Sequence, residues 1–358
     1  MPIVPLHGHH GVRERLLGAL QRDALPASLL LTGARGIGKQ RLALWLAQAA
    51  LCERRAEAPC GACRSCRFAR ELTHPDLHWF FPRPRLKDSD PSVGEVQADY
   101  ADATADRVKA RGLYAPPSGA EGIYVAAVRA LVQLASVSPA IGRRKVFVVG
   151  DAERMVPQEG SDAAANAFLK LLEEPPADTV IVLTSSEPGA LLPTIRSRVV
   201  CVRVAPLTDT EMRAFADDEV VAGAIGKVSA DRLEAAGGAP GALVAGAEQD
   251  GPRHEARRLL ETVTAGTRAD RMRFAFSRGA AGARGAFSDM LDELTVALHD
   301  LAREASGRPG EPAPDPATAL GASRAVAAVE QAKVRAEGNV SPQLVTAWLL
   351  GELTGALR

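Results

Sequence analysis

The chain has no net charge, since 43 Lys and Arg residues are matched by 43 Asp and Glu. That balance excludes a protein that coats nucleic acid through bulk positive charge, so any DNA contact has to be local or shared with partners. No window approaches the roughly 18 apolar residues that a membrane span needs. The segment MPIVPLHGHH has neither a basic n-region nor an apolar core, and the expected compartment is the cytoplasm. Cysteine is scarce and unevenly placed: of five, four fall between Cys52 and Cys66, and Cys201 stands apart. In a reducing compartment such crowding points to metal chemistry before disulfides.

What is present suits a soluble globular protein, with 46% hydrophobic and 24% charged residues. At 358 residues the chain exceeds the usual capacity of one core, so two or three domains are expected. Val12, Leu16, Leu17 and Leu20 recur at helical spacing, and Pro26 stops the pattern. Continuous apolar runs of buried-strand type follow at 28–32, 77–81, 145–149, 179–183 and 199–204, with helical patterns at 41–51, 125–135 and 163–174 between them. Strands alternating with helices predict a parallel sheet and an α/β domain that runs to about Ala205. Residues 83–122 mix Pro, Gly, Asp and Ala with little periodicity and read as a surface insertion, partly helical around 96–108. Beyond Leu207 no strand pattern survives, and the remainder is expected to be all-helical. The Pro-rich stretch 307–316 reads as a loop, and Ser341-Pro342 starts a final amphipathic helix carrying Leu344, Val345, Trp348, Leu349 and Leu353.

Gly33, Gly38 and Lys39 form the G-x-x-x-x-G-K pattern between a strand and a helix, a context in which backbone N–H groups can face phosphate oxygens. Gly36 lies inside that loop. The next residue should be a Ser or Thr whose hydroxyl ligates Mg²⁺, but it is Gln40. A later strand should end in a magnesium-holding aspartate followed by a water-polarising glutamate. Here the strand ends in Gly150-Asp151. With both metal supports lost, the chain is expected to hydrolyse no ATP, and ATP binding through Lys39 stays open beside a plain strand-to-helix turn.

Cys52, Cys60, Cys63 and Cys66 follow the spacing C-x7-C-x2-C-x2-C. Four thiolates in so short a span can close a tetrahedron around a structural Zn²⁺. An iron–sulfur cluster is the smaller rival, and unrelated reduced thiols a third reading.

These motifs, with Thr73-His74-Pro75-Asp76, the run from Asn166 to Pro176 and the run from Leu192 to Arg198, resemble the clamp-loader subunits of bacterial DNA polymerase III. The departures at Gln40 and Gly150 set the resemblance with the delta prime group rather than with the gamma/tau ATPases. The resemblance implies an AAA+-like P-loop domain over 1–205 holding the zinc module (52–66), a helical lid over 206–248 and a helical collar for oligomerisation over 249–358. It implies gamma/tau and delta subunits as partners, and a sliding clamp loaded onto primed DNA. The segment 237–243 is similar to the lid stretch that carries a nucleotide-sensing arginine in active relatives, but Ala242 and its neighbours supply no cation. In the family the pair Ser197-Arg198 projects an arginine finger into the ATP site of the adjacent subunit. Read without the resemblance, Arg198 pairs with a carboxylate such as Glu187. Glu173 and Glu174 end a helix, where the macrodipole disfavours anions, so a cationic partner is expected. Two other readings are an active gamma/tau-like ATPase, which Gln40 and Gly150 oppose, and a zinc-dependent DNA-binding module, which the neutral charge opposes.

Overall fold

In a computed structural model, residues 3–88, 90–114, 121–155, 162–244, 250–276, 284–306, 315–337 and 341–357 are described. By contacts the chain forms two compact units, one within Met1–Ala245 and the other essentially Gly246–Arg358.

The first unit is built in the predicted alternation. Helix α1 (His10–Gln21) leads into β1 (Ser28–Thr32) and α2 (Lys39–Ala50). After the cysteine-bearing loop and α3 (Arg64–Arg70) come β2 (Leu77–Phe80), α4 (Val93–Lys109) and α5 (Val125–Ser136). Then follow β3 (Lys145–Val149), α6 (Asp162–Glu173), β4 (Thr179–Ser185), the short α7 (Pro193–Arg196) and β5 (Val200–Arg203). The five strands form one sheet, all parallel, in the order β2-β3-β4-β1-β5. Strands β3 and β4 are buried at every position, which is why 146–149 and 180–183 are apolar runs without alternation.

The stretch 83–122 is helical over 96–108, as expected, and is tied to the core more closely than a surface insertion would be. Its described part holds α4, a helix started by a reciprocal capping box between Ser92 and Glu95, and it buries Val96, Tyr100 and Ala103 in the main core. The Thr73–Asp76 motif is structural: Asp76 accepts hydrogen bonds from the N–H groups of Ala140, Ile141 and Gly142 and so fixes the turn that enters β3.

Within the same unit, α8 (Asp209–Ala216), α9 (Glu219–Ile225), α10 (Ala230–Ala235) and α11 (Pro240–Val244) share a separate small core of Leu207, Met212, Phe215, Val221 and Leu243. The expected boundary near Glu248 falls outside the described residues. The second unit is helical throughout its described residues: α12 (Asp250–Thr264), α13 (Arg268–Phe276), α14 (Arg284–Ser306), α15 (Pro316–Glu337) and α16 (Pro342–Leu357). Its core gathers Leu259, Leu294, Leu298, Val329 and Leu349. Helix α16 packs as expected through Val345, Leu349 and Leu353, whereas Leu344 is exposed. Most of the predicted loop 307–316 lies outside the described residues.

Candidate functional site

The glycine loop leaves the carboxyl end of β1, and the ends of β3 and β4 deliver Gly150-Asp151 and Ser186 beside it, where open parallel sheets place their ligand crevice. Gly36 and Gly38 have φ of +77° and +96°, values that a side chain would strain. Lys39 is buried, and its ammonium does not point out of the loop. It donates to the carbonyl oxygens of Gly33 (2.9 Å) and Ala34 (2.7 Å) and to Ser186 Oγ (2.9 Å). Burial lowers its pKa to about 8, against the opposing pull of Asp151 and Glu153.

The magnesium corner is filled by protein. Gln40 Nε2 donates to Asp151 Oδ2 at 2.9 Å, and Gln40 Oε1 accepts from Trp79 Nε1 at 3.1 Å. A Cβ at position 150 would overlap the Gln40 amide. The two departures read from the sequence are therefore one arrangement, since the Gln40 amide occupies the space an aspartate at 150 would need. Arg107 of α4 lies over the rings of Trp79, Phe81 and Tyr114, at 4.6, 3.3 and 4.0 Å from their centroids, and desolvation lowers its pKa.

The loop is also covered. Gly241 N donates to Gly36 O at 2.9 Å, and a Cβ on Gly241 would come within 2.8 Å of Gly36 Cα. On the other flank, His9 Nε2 lies 2.8 Å from Ile37 O. Lys39, Gln40 and Gly36 thus all meet protein atoms where phosphate and Mg²⁺ would be met in an active site of this design.

Three participants carried no signal in the sequence, whereas Gly241 lies in the 237–243 segment already singled out there. Trp79 and Arg107 belong to elements remote in the chain from the glycine loop. Glu153 sits two residues past Asp151, with Oε1 accepting from Ser186 N at 2.9 Å, and burial raises its pKa.

The four clustered cysteines come together as predicted. Their sulfurs all lie within 4.8 Å of one another, and the Cys52–Cys63 and Cys60–Cys66 pairs are both 4.0 Å apart. A tetrahedron with metal–sulfur bonds of about 2.3 Å has edges of about 3.8 Å, so the set could hold a metal ion. Cys63 N donates to Cys60 Sγ (3.4 Å) and Cys66 N to Cys63 Sγ (3.3 Å), bonds that favour thiolates. The N–H groups of Cys63 and Ala62 bring the Cys60 thiol down to about 6. Glu53 accepts from Ser65 N and Oγ and ties the start of the loop to α3.

Ser197 and Arg198 lie elsewhere. They precede β5, and Val200 is level with Leu29 at the start of β1, so both sit at the amino edge of the parallel sheet. The glycine loop leaves the carboxyl edge, on the order of 15 Å away along the strands. Arg198 pairs with Glu173, not with Glu187: Nη2 is 2.7 Å from Glu173 Oε1, and Nη1 donates to Thr194 O at 2.9 Å. Glu173, the last residue of α6, thereby finds the cationic partner its position calls for. Ser197 Oγ donates to Thr194 O at 3.1 Å and lies 3.4 Å from Arg198 Nη1.

A family model described as DNA polymerase III, delta subunit, matches residues 8–208. The chain is similar to DNA polymerase III subunit delta' of Escherichia coli (strain K12), with 30% identity over 233 residues, 65% of this chain and 58% of that protein. Against subunit delta' of Pseudomonas aeruginosa the identity is 36% over 177 residues, 49% of this chain and 42% of that protein. A tau subunit from Salmonella typhimurium is 27% identical over 207 residues, 58% of this chain and 26% of that protein. The chain thus spans about half the length of the delta' relatives it matches. Among solved structures, a DNA polymerase III gamma subunit-related protein from Thermotoga maritima aligns with a TM-score of 0.42 and 19% identity, over 96% of this chain and all of that one.

Proposed function

Because the chain belongs to the DNA polymerase III delta subunit family, with several delta' subunits among its relatives, we propose that it is a non-hydrolysing member of the clamp loader. In this reading it joins gamma/tau and delta subunits in the cytoplasm, supports loading of the sliding clamp onto primed DNA, and supplies Arg198 to the ATP site of a neighbour. The helices from α8 to α11 serve as the lid, the second unit as the collar, and Zn²⁺ on Cys52, Cys60, Cys63 and Cys66 as a structural staple.

The observation that carries the proposal is the filled corner: Gln40 bridges Asp151 and Trp79 over Gly150, with no room for the metal and its aspartate. ATP hydrolysis of this type relies on that ion to neutralise charge on the transferring phosphoryl group. The position of Arg198 supports the second half of the proposal, because the amino edge of the sheet sets this guanidinium apart from its own glycine loop, and its present partners, Glu173 and Thr194, belong to the same edge. A finger in trans is worth roughly 10³ to 10⁵ in rate, about 4 to 7 kcal/mol of barrier, far more than a surface ion pair contributes.

Reconstitution of the complex with Arg198→Ala tests this. Assembly should survive, while DNA-stimulated turnover at the neighbouring site falls by about 10³-fold or more. Normal assembly together with normal turnover would show that the finger assignment is wrong.

A further inference from the structure

Arg198 is already engaged within its own chain, and the atoms engaged decide what it can do. An arginine offers phosphate or carboxylate two edges for paired hydrogen bonds, Nη1 with Nη2 and Nε with Nη2. Both edges pass through Nη2, and Nη2 is the nitrogen that Glu173 holds at 2.7 Å. Nη1 is committed to Thr194 O, and Nε is buried with no partner. Of the five N–H donors of the guanidinium, the one on Nε has no partner, and each terminal nitrogen already serves a group of its own chain. The Glu173 carboxylate occupies the spot, and has the charge, that a phosphoryl oxygen would bring.

We propose that Glu173 is a competing anion for Arg198, occupying its fork in place of a phosphoryl oxygen until the neighbouring subunit presents one. This inference rests on the reading of Arg198 as a finger acting in trans. The exchange swaps one anion for another on the same nitrogen and leaves the Thr194 contact to keep the guanidinium aimed. Glu173 is well suited to release, since its side chain is half exposed and sits at a helix C-terminus, where the backbone carbonyls repel an anion. A surface pair of this kind binds weakly enough to be displaced by a phosphate that carries more charge. Glu173 therefore sets the threshold at which the finger engages and touches no nucleotide itself.

The test is a double-mutant cycle in the complex reconstituted with gamma/tau and delta subunits, read as kcat for ATP in the absence of DNA. Glu173→Gln keeps the size of the side chain and removes its charge, and kcat should rise about two- to fivefold, the range a surface ion pair commands. In the Arg198→Ala background the same change should have no effect. Should Glu173→Gln fail to fold, Glu173→Ser takes its place in the cycle. An unchanged or lowered kcat with Arg198 present would overturn the proposal while leaving the finger intact. A rise that persists without Arg198 would overturn it too. If Arg198→Ala alone leaves turnover unchanged, the finger reading fails, and the proposal fails with it.

Discussion

Gln40 and Gly150 illustrate how two residues that each look like a loss can form one structure. Gln40 in place of a hydroxyl, and glycine in place of an aspartate, are both legible as missing magnesium ligands. That they need each other is not legible, because they are far apart in sequence and meet only when β1 and β3 are brought into one sheet. Coupling of this kind is measurable. Gly150→Ala forces a methyl group onto the Gln40 amide and should lower unfolding stability by about 1–3 kcal/mol, as overpacking does. In a Gln40→Ala background the same change should be close to neutral, a difference that urea unfolding resolves. Equal losses in both backgrounds would mean that the two positions are independent.

Strands β1, β3 and β4 were readable at the scale of elements because their burial leaves no polar alternation to confuse the pattern, and β1 and β3 fall on their predicted limits. Helix α4 was harder. Its buried residues Val96, Tyr100 and Ala103 keep helical spacing but are diluted by Asp and Ala, and the surrounding Pro and Gly suggest loop. Ser92 and Glu95, three apart ahead of that pattern, were the available signal. The cysteine loop shows the reverse case, in which spacing alone located the cluster. Its four thiols, close-packed and fed by backbone N–H groups, should bind one zinc per chain. Removing the metal with a strong chelator, or substituting Cys63→Ser, should lower the thermal midpoint. Metal analysis that finds no zinc, with the midpoint unmoved by chelation, would refute the assignment.

For the whole molecule, the parallel sheet separates the two proposed sites. Its carboxyl edge carries the glycine loop, closed by Lys39, Gln40 and the Gly241–Gly36 contact. Its amino edge carries Arg198, held by Glu173 and Thr194. The fold class was legible in the sequence, and so were the residues proposed here for both sites. Which atoms each functional side chain meets was not, since every partner, from Trp79 for Gln40 to Glu173 for Arg198, comes from another element. The central claim is that the pocket at the carboxyl edge is filled by the protein's own side chains and backbone. Calorimetric titration of the isolated chain with Mg²⁺ and ATP, followed by an assay for released phosphate, tests it most directly. The account predicts no magnesium-dependent binding and no turnover. Steady phosphate release that disappears in Lys39→Ala would contradict it.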